Sequence, residues 1–483
     1  MRPAPMEESP SADRDVEAPA PASQGLWTLV KQALHGTELD LTRLPIRRAI
    51  FLLAVPMVLE MLMESVFSVV DVFFVGRLGA EAVATVGLTE SILVIIYAAG
   101  MGLSIGATAM VARRIGEKDA ERAARTAVQA IGLGVVISLA LAVAGIVFAR
   151  PLLAALGGSP WVLEHGVGYT RVMMGGVVSI LLLFLINAIF RGAGDAAIAM
   201  RVLGLANGIN VLLAPCLIFG LGPFPEMGVV GAAWATTLGR SAGVLYQLFR
   251  LMQGNGRLQV RREHVALEPT TMLAMLRLSG AGMVQALVNT SSWVVLVRLV
   301  SSFGSTALAG YTIAMRILLF ALLPAWGLGN AASTLLGQSM GAGDVERGQR
   351  AVWMAGRYNL FVLSSIGLVF FVFATPLLGA FTTDAAVVVS GARALRIFCL
   401  CFVSCAYGMV ITSAFNGAGD TRTPTLIDLG CFWALELPLA WVLSRPLGMG
   451  EVGVFLAVPV AFAVMSVSSI LLFRRGHWKT RVV

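Results

Sequence analysis

The sequence predicts an all-α polytopic membrane protein: twelve transmembrane helices in two six-helix bundles related by a pseudo-two-fold axis along the membrane normal. Three observations carry that expectation. Of 483 residues, 57% are hydrophobic and only 13% charged, where an ordinary soluble domain carries about 25% charged residues. Apolar stretches, each near the roughly 20 residues that span a bilayer, are centred near residues 63, 98, 137, 175, 209, 239, 287, 322, 362, 401, 435 and 462. The chain is also written twice, at a constant offset of 225 positions.

In chain order, MRPAPMEESPSADRDVEAPAPAS comes first, rich in Pro, Ala and acids with no apolar core behind a basic start. That composition predicts a disordered tail, not a signal peptide. GLWTLVKQALHG follows and has the pattern of a short amphipathic helix on the inner membrane surface. Residues 1–46 therefore read as a tail, 47–252 as the first lobe, 253–270 as a connector, 271–475 as the second lobe and 476–483 as a second tail.

Charge sets the topology. Arg113, Arg114, Lys118, Arg122 and Arg125, then Arg257, Arg261 and Arg262, then Arg347 and Arg350, then Arg474, Arg475, Lys479 and Arg481 fall at the tails or at alternate connections. The other connections hold little beyond Arg77, Arg150 and Arg445. This is the positive-inside pattern, and it predicts cytoplasmic termini and a cytoplasmic connector in a bacterial inner membrane. The net charge of +8 is thus a topology signal, and nucleic acid is not an expected partner.

The repeat is legible in FRGAGD (190–195) and FNGAGD (415–420), and the same offset joins Gly79 to Gly304, Gly102 to Gly327, Gly116 to Gly341 and Pro151 to Pro376. Six spans per copy is an even number, so both halves enter the membrane in the same direction. In the Gly-Ala-Gly-Asp loops, Gly192 and Gly417 are expected to end one helix in a left-handed conformation, with Asp195 and Asp420 capping the next.

Enzyme motifs come up short. GRSAG (239–243) lies inside an apolar helix, whereas a nucleophile elbow needs a strand–turn–helix context; small residues for helix packing explain it better. The four histidines lie at span edges or loops, and the five cysteines lie within apolar spans without Cys-x-x-Cys spacing, so no metal or disulfide framework is expected. No phosphate-binding loop appears, and no cofactor is expected.

The acids are different. VPMVLEMLMESVFSVVDVFFVG (55–76) holds Glu60, Glu64 and Asp71 and no Lys or Arg. At about 100° per residue these three fall at roughly 0°, 40° and 20° around a helix, on one narrow face. A carboxylate at the bilayer centre costs about 2.5–3.5 kcal/mol on insertion scales, so that face looks into a bundle interior or a wet cavity. Two roles stay open there: interhelical hydrogen bonding and exchange of protons or cations. Depth adds Glu90 of the second span and Asn210 of the fifth as partners for Asp71. Glu436 sits at a comparable level in the second lobe, where Arg298 and Arg316 are also expected to be buried; a local ion pair and a substrate-facing acid are both open for it.

At these residues the sequence resembles the MATE family, the multidrug and toxic compound extrusion transporters. VPMVLEMLMESVFSVVDVFFVGRLG, MVARRIGEKD after the second span, the FRGAGD/FNGAGD pair and ELPLAWVLSRPLG carry the resemblance, over about residues 45–475. It implies efflux of drug-like compounds coupled to H+ or Na+, and it maps the family's first-span coupling aspartate onto Asp71. The fifth-span pattern Asn-x-x-x-Asp-Pro reads here as Asn210 to Pro215 with Ala214 in place of the acid. The seventh- and tenth-helix acids of the NorM-like branch fall near Asn289 and Cys405, where no acid stands. The DinF-like pattern, with coupling in the first lobe, fits better.

The expectation is therefore a monomeric secondary transporter that exchanges H+, or else Na+, for cationic amphipathic compounds by alternating access. Asp71, Asn210 and Glu90 would form the coupling site, with Glu60, Glu64 and Glu436 along the cavity. A flippase for a lipid-linked precursor would instead want a basic, anion-binding cavity, whereas the buried charge of the first lobe reads as mainly acidic; a membrane-embedded enzyme would want a catalytic pair. The topology is open to cysteine labelling on a cysteine-free background: Leu258→Cys and Thr480→Cys are expected to react from the cytoplasmic side only, and modification from outside alone would overturn the orientation.

Overall fold

The computed structural model describes residues 26–36, 40–254 and 256–481, and within them the side chains of all but residues 26, 67–72 and 262. The tail expected to be disordered lies outside the described residues. A short helix, α1 (Leu26–His35), covers the predicted amphipathic segment. Twelve long helices follow: α2 (Ile46–Val75), α3 (Ala80–Gly116), α4 (Ala120–Ala155), α5 (Val162–Ala193), α6 (Ala196–Phe219), α7 (Val229–Gln253), α8 (Pro269–Ser301), α9 (Ser305–Gly341), α10 (Val345–Val372), α11 (Ala385–Gly417), α12 (Arg422–Ser444) and α13 (Glu451–Arg475).

Eleven of the twelve are long and apolar enough to cross a membrane by length and composition. The exception is α7, whose 25 residues include Arg240, Arg250 and many small or polar side chains. It packs against α5 and α6, and Arg240 is buried. Its polarity is internal to the lobe, which is why a hydropathy criterion undervalues it.

The duplication is visible in the helix bounds: α3 and α9 are each 37 residues long, and both their first and last residues stand 225 positions apart. The loops that precede α4 and α10 are capped alike, with Asp119 accepting from the Arg122 N–H and Asp344 from the Arg347 N–H, each at 2.9 Å. Such caps satisfy one of the helix's otherwise unpaired N–H groups.

Each lobe has its own apolar interior. Leu185, Ile186 and Ile189 of α5 meet Ala123 and Ala127 of α4 in the first, and Phe398 and Phe402 of α11 meet Tyr311 and Phe455 in the second. A further cluster joins the lobes, with Ile50, Leu53 and Met57 of α2 against Leu335 and Leu336 of α9 and Phe415 of α11. Outward faces such as Leu139, Val143 and Val147 of α4 stay exposed, as a lipid-facing surface requires.

Glycine sets how closely the lobes approach. A Cβ on Gly116 would overlap the Gln338 carbonyl oxygen, and one on Gly341 would overlap that of Arg113. These are reciprocal contacts between α3 and α9. Further along the same helices, Gly102 lies against the Ser279 carbonyl of α8, and Gly327 against Val58 of α2. Gln338 Nε2 donates to the Gly192 carbonyl at 2.9 Å, and Arg113 to the Ala418 carbonyl at 3.4 Å, so each lobe also supplies a donor to the other's loop.

The Gly-Ala-Gly-Asp loops correct the sequence reading. The left-handed residues are Gly194 (φ 90°) and Gly419 (φ 83°), not Gly192 and Gly417. Gly192 and Gly417 are helical, and side chains there would press on Thr108 and Ser333 of the neighbouring helices. The two glycines thus do different things: one permits a crossing, the other a chain reversal. Nor does Asp195 cap α6 with its side chain. It accepts the Arg257 backbone N–H at 3.3 Å, while Asp420 pairs with Arg481 at 3.3 Å and accepts the Thr423 hydroxyl at 2.7 Å. Each carboxylate fastens the segment that follows its own lobe.

Gly116→Leu or Gly341→Leu is expected to lower stability by about 1–3 kcal/mol, as overpacking does, and to weaken transport. Gly132→Leu, where nothing lies within 4 Å of the added carbon, serves as control. Equal melting temperatures for all three in detergent would contradict the close crossing.

Candidate functional site

The acid face of α2 meets two arginines from other helices. Glu60, 2% exposed, accepts from Arg191 of α5 and from Asn187 Nδ2 at 3.2 Å. Gln247 of α7 donates to Asn187 Oδ1 at 2.6 Å and to the Leu183 carbonyl at 3.3 Å, extending the network. Glu64 pairs with Arg240 of α7 at 3.4 Å. The expectation of a mainly acidic first-lobe interior is therefore corrected. The 55–76 stretch contains no basic residue, but α5 and α7 bring one guanidinium to each of these glutamates. The physical reason is desolvation: a carboxylate taken out of water costs less when a guanidinium pairs with it.

Asp71 falls within α2, and its side chain lies outside the described residues. Asn210 is buried on α6, whereas Glu90 is exposed on α3. Asn207, one turn before Asn210, donates to the Met63 carbonyl at 2.7 Å and ties α6 to α2.

The second lobe holds a polar centre that sequence reasoning missed. Asp428 of α12, 2% exposed, accepts at one oxygen, Oδ2, from Gln285 (2.9 Å) and Asn289 (3.1 Å) of α8. Gln285 accepts in turn from Asn416 of α11 at 3.3 Å. Shifted back by 225 positions, Gln285 corresponds to Glu60, Asn289 to Glu64 and Asn416 to Arg191. Where the first lobe has ion pairs, the second has amides and one acid from another helix. The available signal was an acid within an apolar stretch, which marks a candidate site by default.

Glu436, 3% exposed, ends a π-helical segment, Leu429–Glu436, that begins directly after Asp428. Of the two roles left open for it, the local ion pair is excluded: Arg298 and Arg316 are exposed, and among the described residues neither forms a salt bridge to it. Their position in apolar stretches suggested burial, but both lie on helix faces turned away from the lobe interior.

Known proteins share the duplicated fold that carries these residues. The MatE family model matches residues 56–216 and again 281–442, two copies that start 225 positions apart. The chain belongs to the MATE family. Its relatives include the "Probable multidrug resistance protein YoeA" of Bacillus subtilis, 26% identical over 90% of this chain and 95% of that protein. The "Probable multidrug resistance protein NorM" of Thermotoga maritima is 27% identical, over 91% and 94%. The "FAD transporter" of Shewanella oneidensis is 26% identical, over 89% and 95%. Among solved structures, the "Outward-facing conformation of a multidrug resistance MATE family transporter of the MOP superfamily" superposes with a TM-score of 0.85 at 24% identity, covering 91% of this chain and 98% of that one. This MATE chain thus has the twelve-helix, two-bundle fold and belongs to a multidrug-efflux family of membrane transporters, not enzymes.

The lobe comparison is testable. Glu60→Gln leaves Arg191 without its counter-charge and is expected to cost about 3–5 kcal/mol. The double change Glu60→Gln with Arg191→Asn, which copies the amide pair at 285 and 416, is expected to recover most of that loss. Thermal unfolding in detergent measures both, and a double variant no more stable than the single one would show that the pairs are not interchangeable.

Proposed function

We propose that this MATE transporter exports amphipathic organic compounds, cationic ones foremost, in exchange for H+. In this reading it works as a monomer in the bacterial inner membrane, with both termini cytoplasmic and residues 47–252 and 271–475 as two bodies that rock about the 253–270 connector. The observation that carries the reading is the reciprocal glycine crossing of α3 and α9 at Gly116 and Gly341. A tight, side-chain-free contact at one end of the lobes can open and reclose as a unit, which suits alternating access about a site between bundles. The Arg- and Lys-rich connections lie at that same end, so in this reading it is the cytoplasmic gate.

Asp71 is the principal coupling residue, with Asn210 and Glu90 as its polar partners, in the DinF-like arrangement. Glu60 and Glu64 act through their arginine pairs, and Glu436 faces substrate in the second lobe. H+ is favoured over Na+ because a Na+ site gathers several hard oxygen ligands, and Ala214 removes one expected carboxylate. A proton needs a single carboxylate.

One observation favours a second reading. Arg191 and Arg240 balance Glu60 and Glu64, so among the described residues these two acids add no net negative charge to the first-lobe interior, and one relative is named an FAD transporter. An anionic amphiphile, such as a lipid-linked precursor, is the substrate class this would suit.

An inward-directed proton gradient in Na+-free buffer is expected to drive a cationic dye out of right-side-out vesicles, and Asp71→Asn is expected to abolish that response while the protein still folds. Strict dependence on added Na+, or undiminished proton-driven efflux by the variant, would contradict the assignment.

A further inference from the structure

We propose that Asp428 is a proton-binding site of the second lobe, taking the proton on Oδ1. Its role in transport rests on the cation-coupled reading above; the site itself does not.

The geometry is asymmetric. Gln285 and Asn289 both donate to Oδ2, and Oδ1 is buried with no hydrogen-bond partner among the described residues. Among those residues no guanidinium answers this acid as Arg191 and Arg240 answer Glu60 and Glu64. A buried carboxylate without a counter-charge is costly, and binding a proton removes the charge. Protonation at Oδ1 breaks nothing: Oδ2 goes on accepting from both amides, so the side chain holds its place in either state. Asn289 is exposed although its partner is not, and in this proposal that is the side from which the proton reaches the carboxylate. The nearest amides present N–H groups to the carboxylate, the wrong polarity for a metal ion.

The surroundings are fixed on both sides. The Thr425 hydroxyl donates to the Ala281 carbonyl at 3.1 Å and Trp433 Nε1 to the Val288 carbonyl at 3.2 Å, which zips α12 to α8 above and below Asp428. The π segment starts at the next residue, and such departures from α geometry are frequent at functional sites. The titratable groups within electrostatic reach are the Cys431 thiol and, through it, Glu436 on the same helix. The packed helices carry further charges: Arg277 and Arg298 on α8, Arg393 and Arg396 on α11, and Glu451, Arg474 and Arg475 on α13, with Arg422 at the start of α12 itself. Among the described residues none of these bonds to Asp428.

The test is infrared difference spectroscopy of the full chain in lipid nanodiscs, stepped in pH in Na+-free buffer, with proton uptake counted in parallel. A protonated-carboxyl band is expected that Asp428→Asn removes, together with one proton per molecule, and that Asp71→Asn retains. An unchanged band and proton count in Asp428→Asn would overturn the site, as would loss of the wild-type band on adding NaCl at fixed pH, which would mark a Na+ site instead. If Asp428→Asn does not fold, Asn289→Leu removes one donor and is expected to displace the pH at which the band appears; no displacement would also overturn it. A wild-type protein with the Asp428-dependent band but no response to a proton gradient in vesicles would refute proton-coupled transport while supporting the site.

Discussion

The Glu60–Arg191 ion pair is the contact on which the first lobe's interior depends. It joins α2 to α5, and Asn187 and Gln247 extend it to α7. The backbone of Arg191 carries it further, because the carbonyl of that residue accepts the Thr334 hydroxyl of α9 at 3.2 Å. One buried charge pair therefore touches three helices of its own lobe and one of the other. In a medium without water each of these polar groups must find its partner inside the protein, so the network also fixes which helices are neighbours. Packing by apolar side chains alone would leave that choice open, since lipid tails satisfy a leucine as well as a neighbouring helix does.

Duplication preserved the backbone and released the side chains. Gly116 and Gly341 make the same contact twice because two helices cannot approach closely with a Cβ between them. The aspartates at 119 and 344 cap alike for an equally local reason. The polar interior is under no such constraint. Glu60, Glu64 and Arg191 of one lobe correspond to Gln285, Asn289 and Asn416 of the other, and the second lobe takes its acid from α12 instead. A pair of amides fills the same space as an ion pair without its desolvation penalty, so either solution is structurally admissible, and the lobes are free to differ in chemistry.

The same economy governs the ends. Asp195 and Asp420 occupy matched loops, yet one holds a backbone N–H of the connector and the other a side chain of the C-terminal tail. Arg347 adds a third anchor, donating to the Leu41 and Leu44 carbonyls of the N-terminal segment. Three segments outside the helices are thereby tied to the end at which the lobes cross.

By itself the sequence determined the number of spans, the duplication and the family, because each is written in local quantities: hydropathy over about 20 residues, a fixed offset, and short motifs. It also marked Glu60, Glu64 and Glu436 as residues to explain, since charge inside an apolar run is visible without a fold. Only the tertiary structure decided their partners. Arg191 and Arg240 lie 131 and 176 positions from the acids they meet, and separations of that size leave no local trace. Asp428 was legible as an acid but not as an uncompensated one, because lacking a counter-charge is a property of three packed helices. The division at the Gly-Ala-Gly-Asp loops is the same. Two glycines stand in each motif, and the packing alone assigns one to the helix crossing and the other to the left-handed turn.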